Sequence, residues 1–336
     1  MRITTSPLQD ILEPVEREMK EFHAEFRRAM ISDVPLVNLV AKYLICTKGK
    51  QLRPMLVLLS AKACGEVNDA TYRAATLVEL LHTATLIHDD VIDDSELRRG
   101  FASIKALWRN KVGVLMGDYL LAQGLLRTVK TGEYHFLEIT SNAVRRMSEG
   151  ELYQLQKARQ LNIDEAGYFR IIADKTASLI STCCELGAAS VFPSKEIQSN
   201  GSAFREAMKN YGEAVGIAFQ IRDDLFGFEH ANGSIGKPAE ADLKEKKMTL
   251  PLIHSLSNAP KGDRNYIIGL VKSGKAAKES YREVIDFVSM NGSIAYTRAK
   301  AEEYSANACE ALSLLPESEA RSALEAFARY VIERDH

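Results

Sequence analysis

The amino-acid sequence predicts an all-α protein. Proline is scarce, with nine residues among 336, and long stretches contain neither proline nor glycine. Apolar residues recur at three- and four-residue spacing, for example along residues 36–44 and 144–155, which is the pattern of an amphipathic helix. No stretch alternates for long enough to predict a sheet, because strand-like runs such as Leu56–Leu59 lie inside longer helical patterns.

Helices are predicted along the whole chain, and a single domain is predicted to cover residues 1–336. No linker is long enough to separate two domains, and no repeat of fixed period is present. The chemically distinctive residues lie between about residues 40 and 255, and the helices of residues 257–336 are predicted to complete the same bundle. The predicted helices span residues 8–30, 34–47, 53–64, 69–98, 103–109, 113–130, 134–159, 164–190, 201–228, 248–256, 263–272, 278–290, 293–313 and 317–334.

Composition argues against several classes of function. The formal net charge of −2 gives no electrostatic basis for binding nucleic acid. No apolar run reaches the roughly 18 residues that a membrane span needs, and the first thirty residues lack the apolar region of a signal peptide. The five cysteines are scattered and form no Cys-x-x-Cys pair, so we expect reduced side chains in a cytoplasmic protein.

The most distinctive stretch, His88–Gly100, contains four aspartates followed by two adjacent arginines. A largely apolar run precedes it, which predicts one helix continuing through the aspartates. Residues four apart share a helical face, so Asp89 is expected to lie over Asp93, and Asp90 over Asp94. Like charges at this spacing repel, which favours a bound cation over the alternative of a solvated acidic helix end.

A second acidic pair, Asp223 and Asp224, ends another apolar helical run within the stretch Phe219–Gly227. We expect the two acidic clusters to face each other across a cavity. Carboxylates without histidine or cysteine at matching spacing favour a hard cation such as Mg²⁺. Because Mg²⁺ binds one or two carboxylates together with substrate phosphate, acidic pairs on two walls suit a diphosphate carried by several Mg²⁺ ions.

Basic residues near the acidic stretches and in two glycine-bearing loops complement such a substrate. Arginine binds phosphate oxygens as a bidentate fork and lysine as a point charge. An ordinary solvated turn is the alternative for each loop, and a lysine extending from a helix face is the alternative for Lys175. The candidate phosphate-binding residues are Lys50, Arg53, Arg98, Arg99, Lys175, Lys237 and Lys247.

These motifs, in this order, resemble those of the trans-polyprenyl diphosphate synthase family. The family's DDxxD motif matches Asp89–Asp93, the RRG that follows it matches Arg98–Gly100, and the GKxxRP loop matches Gly49–Pro54. The ordered set of motifs covers roughly residues 40–255. The family's KT element matches Lys175-Thr176, and its FQxxDD segment matches Phe219–Asp224. Its two later lysine motifs match Gly236-Lys237 and Lys247–Pro251, and its GDxLL helix start matches Gly117–Leu121.

The resemblance implies an isoprenoid synthase-type helical bundle around a central cavity, formed by one polyprenyl synthase domain, and it implies a role for each matching residue. The implied Mg²⁺ ligands are Asp89, Asp90, Asp93, Asp223 and Asp224. The implied contacts to the allylic substrate or its leaving group are Arg98, Lys175, Thr176, Gln220, Lys237 and Lys247. The implied isopentenyl diphosphate site is Lys50, Arg53, His82 and Arg99, although a satisfied core histidine is the alternative for His82. The residues expected to matter most for catalysis are Asp89, Asp93, Lys175 and Asp223.

The implied reaction is a Mg²⁺-dependent head-to-tail condensation of isopentenyl diphosphate with an allylic diphosphate. The allylic carbon–oxygen bond ionises, the double bond of isopentenyl diphosphate attacks the cation, and proton loss restores an alkene. Mg²⁺ and the basic residues stabilise the charge that develops on the diphosphate leaving group. The released diphosphate is the expected base, and an apolar wall must exclude water from the cation.

The residues before the first aspartate bear on product length. In this family, bulky residues four and five positions before that aspartate close the pocket for the growing tail, and here those positions hold Thr85 and Ala84, both small. A growing chain could pass them toward Leu81, about one helical turn or roughly 5.4 Å deeper. The resemblance therefore favours a long-chain all-trans product of the kind used for quinone side chains. A medium-chain geranylgeranyl product, or small residues that serve only helix packing, are the alternatives.

One position departs from the family pattern, because Gly227 stands where the second motif usually has its last aspartate. We expect metal binding to survive there with fewer acidic groups. The departure leaves open a non-catalytic or regulatory subunit of a heteromeric prenyl synthase. A class I terpene synthase or another prenyl-transferring enzyme is a further alternative, which the GKxxRP loop, Arg99 and Lys175 together disfavour. The family also implies a homodimer, and the apolar product implies transient membrane contact during its release.

Overall fold

The computed structural model describes residues 7–47, 49–98, 100–192, 199–229, 247–273 and 278–334. The all-α prediction is confirmed, since helices make up almost all of this described part. The helices are α1 (Pro7–Leu12), α2 (Glu16–Ala29), α3 (Pro35–Cys46), α4 (Leu52–Cys64), α5 (Asp69–Ile92), α6 (Ile104–Thr131), α7 (Tyr134–Gln160), α8 (Glu165–Ile172), α9 (Ser178–Val191), α10 (Ser199–Glu229), α11 (Leu250–Asn258), α12 (Lys261–Ser273), α13 (Lys278–Met290), α14 (Ser293–Ala311) and α15 (Glu319–Glu333). Shorter elements are 3₁₀ turns at Glu13–Val15 and Leu312–Leu314, a π-helical turn at Ala173–Ala177, and the two-residue strands β1 (Leu97–Arg98) and β2 (Phe101–Ala102).

The chain divides into two compact units. Unit 1 consists of Met1–Ser141, Thr182–Lys209 and Leu314–Leu324, and unit 2 consists of Asn142–Ser181, Asn210–Ser313 and Glu325–His336. The first acidic stretch belongs to unit 1 and the second to unit 2. A single domain over residues 1–336, with the two acidic clusters facing each other, stays a prediction.

In unit 1, helices α2, α4 and α6 pack against α5. Helix α4 is buried without interruption from Pro54 to Ala61, which explains its continuous apolar run. The strand-like sequence Leu56–Leu59 is therefore helical, as predicted. A Cβ atom added to Gly187 of α9 would lie only 2.3 Å from the carbonyl oxygen of Val57, so glycine at this position lets the two helix backbones approach closely.

Helix α6 packs closely on α5 because it presents glycine to that helix. A Cβ atom added to Gly117 would lie 2.2 Å from Nε2 of His88, so the imidazole would have to move to admit a side chain there. Helix α6 begins after Ser103, whose hydroxyl caps the helix by accepting the amide of Ala106 at 3.0 Å. The segment Gly117–Leu121, which resembles the family's helix-start motif, lies within this helix. The predicted break after residue 109 is present as a kink, with a φ of 70° at Arg109.

The helix of the first acidic stretch ends earlier than predicted. Helix α5 ends at Ile92, whereas the prediction continued it to residue 98. Asp94 adopts a left-handed conformation with a φ of 53°, and the amide of Ser95 donates to the carbonyl of Asp90 at 2.9 Å. This is the hydrogen bond of a Schellman-type helix end. Asp94 therefore does not share a helical face with Asp90, and the chain continues into the β1–β2 ribbon, which was not predicted.

A π-helical turn interrupts the single helix predicted over residues 164–190. Asp164 caps α8 by accepting the amide of Gly167 at 2.9 Å, and at the other end the amide of Ser178 donates to the carbonyl of Ala173. That second bond spans five residues, one more than in an α-helix. Such turns are rare and frequent at functional sites, and this one carries the Lys175-Thr176 pair.

Unit 2 contains two apolar clusters. The first joins α8, α10 and α11 through Tyr168, Ile172, Ile221 and Leu250. The second joins α11 to the two helices that follow it through residues such as Leu252, Ile267, Val284 and Val288. Helices α11 to α13 thus share a core with the helix that carries the second acidic pair.

Membrane spans and cysteine pairing are the two features predicted from composition that the described ranges bear on. None of their helices is long and apolar enough to cross a membrane. All five cysteines lie in the described ranges and none is bonded to another; Cys46 is exposed, whereas Cys64, Cys183 and Cys184 are buried. Burial raises the pKa of Cys184 to about 12, so its thiol stays protonated at neutral pH.

Candidate active site

The first acidic motif lies at the end of α5 in unit 1. Asp89 and Asp93 are exposed, and the amide of Asp93 donates to the carbonyl of Asp89 at 2.8 Å, which keeps the two residues one turn apart. Asp90 is buried, and its Oδ1 accepts a hydrogen bond from Nε of Arg98 at 2.7 Å. Because a buried carboxylate without a cation is costly, Arg98 compensates Asp90, and Asp89 and Asp93 remain accessible to a ligand.

Two residues predicted to bind isopentenyl diphosphate contact each other. Nη1 of Arg53, in the first turn of α4, lies 2.8 Å from Nε2 of His82 on α5. His82 is buried, with an exposed fraction of 8%. Lys50 is exposed in the loop before α4, and Arg99 lies outside the described residues.

The residues predicted to control product length line one turn of α5. Ala84 is completely buried and Leu81 nearly so, while Thr85 is half-buried and donates its hydroxyl to the carbonyl of His82 at 2.9 Å. Because the Thr85 hydroxyl bonds a carbonyl of its own helix, its methyl group is the part that faces neighbouring side chains. The role of these residues in product length stays a prediction.

A hydrogen-bonded chain surrounds the second acidic pair in unit 2. The hydroxyl of Thr176 donates to Oε1 of Gln220 at 2.9 Å, and Nε2 of Gln220 donates to Oδ1 of Asp224 at 2.9 Å. The other carboxylate oxygen of Asp224 accepts the hydroxyl of Tyr168 at 2.7 Å. Tyr168 is buried, and sequence reasoning missed it because one tyrosine on an apolar helix face is indistinguishable from an ordinary core residue.

Asp223 has a different environment from its neighbour. Its carboxylate is 47% exposed and pairs with the guanidinium of Arg334, just past the end of α15. The same guanidinium stacks on the ring of Phe219, 3.8 Å from the ring centre, and burial lowers the pKa of Arg334. No local signal distinguishes Arg334 from Arg329 on α15, so only the fold identifies it.

Lys175 is 38% exposed and has two polar neighbours on α7. Its Nζ lies 2.5 Å from Oε2 of Glu151 and 3.4 Å from Oε1 of Gln154. Sequence reasoning did not identify these two neighbours. Glu151 and Gln154 look like ordinary polar residues of an amphipathic helix.

A cavity of about 280 Å³ in unit 2 brings together residues from several separate motifs. Its polar side includes Lys175, Thr176, Gln220, Asp224 and Lys247. The cavity adds Lys157, a cation that was not predicted. Lys237, the remaining predicted lysine, lies outside the described residues. Apolar lining is provided by Ile163, Ile171, Ile172 and Met248.

The donor chemistry of these residues fits a hard divalent cation. Asp89, Asp93 and Asp223 offer exposed carboxylate oxygens, which are the ligands that Mg²⁺ prefers. Within the described ranges, no three His, Cys, Asp or Glu side chains are arranged to hold a metal by themselves. Mg²⁺ keeps several waters and completes its coordination with substrate phosphates.

The chain is similar to known proteins of one family. The Polyprenyl synthetase family model matches residues 34–288. Octaprenyl diphosphate synthase of Escherichia coli (strain K12) is 33% identical over 98% of this chain and 99% of its own length. An all-trans-nonaprenyl-diphosphate synthase (geranyl-diphosphate specific) of Rhodobacter capsulatus is 36% identical over 97% of this chain and 98% of its own length.

A solved structure resembles the chain along its whole length. The polyprenyl synthase from Caulobacter crescentus CB15, complexed with calcium and isoprenyl diphosphate, superposes with a TM-score of 0.86. It is 32% identical and covers 100% of both chains. The family match, the relatives above 30% identity and the shared isoprenoid synthase fold agree with one another. The chain therefore belongs to the polyprenyl synthetase family.

Proposed function

We propose that this prenyltransferase condenses isopentenyl diphosphate with an allylic diphosphate, with Mg²⁺ as cofactor, to give a long-chain all-trans polyprenyl diphosphate. The observation that carries the proposal is the cavity in unit 2. It gathers a lysine and a threonine from the π-helical turn, a glutamine and an aspartate from α10, and Lys247 from the segment before α11. A lining that combines cations and hydrogen-bond donors with apolar side chains suits a diphosphate with a hydrocarbon tail.

The acidic residues divide into two kinds. Asp89, Asp93 and Asp223, which are exposed, would hold Mg²⁺, which when bound neutralises the diphosphate and favours its departure. Asp90 and Asp224 would support them, because their carboxylates already accept hydrogen bonds from Arg98, Tyr168 and Gln220. Gly227 removes a further acidic group from this set but leaves Asp223 and Asp224 in position on α10.

The basic residues would bind the two diphosphates. Lys175 and Lys247, with the predicted Lys237, would take the allylic diphosphate and stabilise the charge on its leaving oxygen. Lys50, Arg53 and the predicted Arg99 would take isopentenyl diphosphate, and the contact between Arg53 and His82 would keep the guanidinium oriented. Apolar residues of the unit 2 cavity, including Ile171 and Met248, would exclude water from the allylic cation.

An assay of the purified single chain tests the proposal. Incubation with Mg²⁺, labelled isopentenyl diphosphate and an allylic primer is expected to give products of about seven or more isoprene units, separated by chromatography. Products of four units would replace the long-chain assignment by the medium-chain one. No condensation with any primer would rule out an independently active enzyme and leave the partner-dependent subunit.

An exposed apolar stripe supports the predicted homodimer. Helix α6 buries one face on α5, yet six large apolar side chains along it are at least 41% exposed. A second apolar face is typical of a helix that packs against another chain. A second copy of the chain in the cytoplasm would cover this stripe. Separately, the long apolar product supports transient membrane contact during its release. The stripe consists of Leu107, Val114, Leu115, Leu125, Leu126 and Val129.

Arg334 is expected to compete with Mg²⁺ for Asp223. In Arg334→Gln the carboxylate loses its cationic partner, so the Mg²⁺ concentration for half-maximal activity should fall by about threefold, the size expected of a partly exposed ion pair. Calorimetric titration with Mg²⁺ should show the same change. Arg329→Gln, at an exposed position on α15, is the matched control. An unchanged or higher Mg²⁺ requirement in Arg334→Gln would show that Arg334 does not compete.

A further inference from the structure

We infer that Arg146 of α7 is a positioning residue that holds the π-helical turn Ala173–Ala177 against α10, and thereby sets Lys175 and Thr176 for the allylic diphosphate. The inference rests on the proposed function and extends it to a residue outside the cavity. It concerns unit 2 only, where α7, the π-helical turn and α10 contribute all the residues involved.

All three nitrogens of the Arg146 guanidinium form hydrogen bonds, and these bonds join the π-helical turn to α10. Its Nε donates to Oδ1 of Asp174 at 2.8 Å. Its Nη1 and Nη2 donate to the two carboxylate oxygens of Glu213 at 3.0 and 2.9 Å. Asp174 directly precedes Lys175 on the π-helical turn, and Glu213 lies on α10. One side chain thus ties the turn to the helix that carries the second acidic pair.

The backbones around Arg146, Asp174 and Glu213, called the triad below, are packed too closely to tolerate added side chains at two glycines. A Cβ atom added to Gly150, one turn after Arg146 on α7, would lie 2.9 Å from Cβ of Asp174 and 3.2 Å from the amide nitrogen of Lys175. A Cβ atom added to Gly216 of α10 would lie 2.5 Å from Cα of Ala177. The turn is therefore held between α7 on one side and α10 on the other.

The ionic balance of the triad depends on Arg146. The side chains of Asp174 and Glu213 are 19% and 31% exposed, and Arg146 lies between them with 27% exposure. The hydrogen bonds to Glu213 raise the pKa of Arg146, burial opposes them, and the bond to Asp174 adds to them. Arg170 approaches Asp174 only at 3.8 Å. Without Arg146, two partly buried carboxylates would lie close together with little compensation.

The triad lies beside the contacts that the proposed reaction needs. Thr176 on the turn donates to Gln220 on α10 at 2.9 Å, and Gln220 in turn donates to Asp224. Glu213 precedes Gln220 by seven residues, two helical turns along the same face. A shift of the turn relative to α10 would break the Thr176–Gln220 bond and displace Lys175 by a similar distance. Displacements of about 1 Å can cost on the order of 100-fold in rate.

The test compares Arg146→Gln with Arg145→Gln. Arg145 is the neighbouring residue, and it forms an exposed pair with Glu149 at 2.9 Å on the same helix. In Arg146→Gln we expect kcat to fall by about 10- to 100-fold and the allylic KM to rise, with the isopentenyl diphosphate KM within about threefold of wild type. Arg146→Lys keeps the charge without the bidentate fork, so we expect intermediate activity, and it replaces Arg146→Gln if that variant does not fold.

Hydrogen exchange gives a readout that does not depend on activity. The amides of residues 173–178 should exchange faster in Arg146→Gln than in Arg145→Gln, at a temperature where both proteins are folded. Equal exchange there, or kcat and allylic KM both within threefold of wild type, would overturn the inference. If the wild-type chain itself shows no condensation, the proposed function fails, while the exchange comparison still decides whether Arg146 holds the turn.

Discussion

Asp89→Asn is expected to lower kcat by at least about 1000-fold, because removal of one metal ligand withdraws several kcal/mol of stabilisation from the developing charge. Asp89 is exposed at the end of α5, one turn from Asp93, and its neighbour Asp90 is already engaged by Arg98. No other carboxylate of the described part of α5 stands ready to replace it. The measurement is kcat at saturating Mg²⁺ and both substrates, with calorimetric Mg²⁺ titration in the presence of a non-reactive allylic diphosphate analogue.

Asp94→Asn provides the matched control. Asp94 belongs to the same acidic run but lies beyond the helix end, where it pairs with Lys105 at 2.7 Å and is 83% exposed. Asparagine tolerates the left-handed conformation of this position, so neither the fold nor turnover should change by more than about twofold. Turnover of Asp89→Asn within threefold of wild type would remove Asp89 from the metal site.

Ala84→Phe is expected to shorten the product by several isoprene units. Ala84 is completely buried on α5, and Leu81 lies about one turn deeper on the same helix. A phenyl ring at position 84 would occupy the path proposed for the tail, so elongation should stop once the chain reaches it. Chromatography of the products against standards of known length measures the shift.

The added ring also has a cost in stability that must be separated from its effect on length. Overpacking a core position destabilises by about 1 to 3 kcal/mol, so the melting temperature of Ala84→Phe should fall. Thr83→Phe places the same ring one residue earlier, on a partly exposed position whose hydroxyl bonds only its own helix, and should leave product length unchanged. An unaltered product distribution in Ala84→Phe would show that the tail does not pass this residue.

Sequence patterns were sufficient for the helices, but not for helix ends or for all the side chains around the candidate site. The apolar periodicity before Asp89 predicts α5 correctly, yet the helix was expected to continue to residue 98. Its actual end at Ile92 depends on the left-handed Asp94 and on the hydroxyl of Ser103, which donates to the carbonyl of Ser95 at 2.7 Å. That bond joins residues on opposite sides of the β1–β2 ribbon, so it carries no signal in a local window.

The π-helical turn illustrates the same limit. The residues Asp174-Lys175-Thr176 suggested a functional helix, but nothing in their order predicts one extra residue in the turn. The extra residue occurs where Gly150 of α7 and Gly216 of α10 bring their backbones against it, and where Arg146 binds Asp174. Packing from helices distant in sequence selects the π geometry over the α-helix.

By itself, the sequence determined the all-α class, the family and the identity of the candidate ligands, because period and motif order are local properties of the chain. Only the tertiary structure decided which carboxylates are accessible and which are engaged. Asp90 is held by Arg98, Asp224 by Tyr168, and Asp223 by Arg334, which lies 111 residues further along the chain. Partners at such separations are set by how the helices pack, and the carboxylates of one motif acquire different environments although their local sequences are alike.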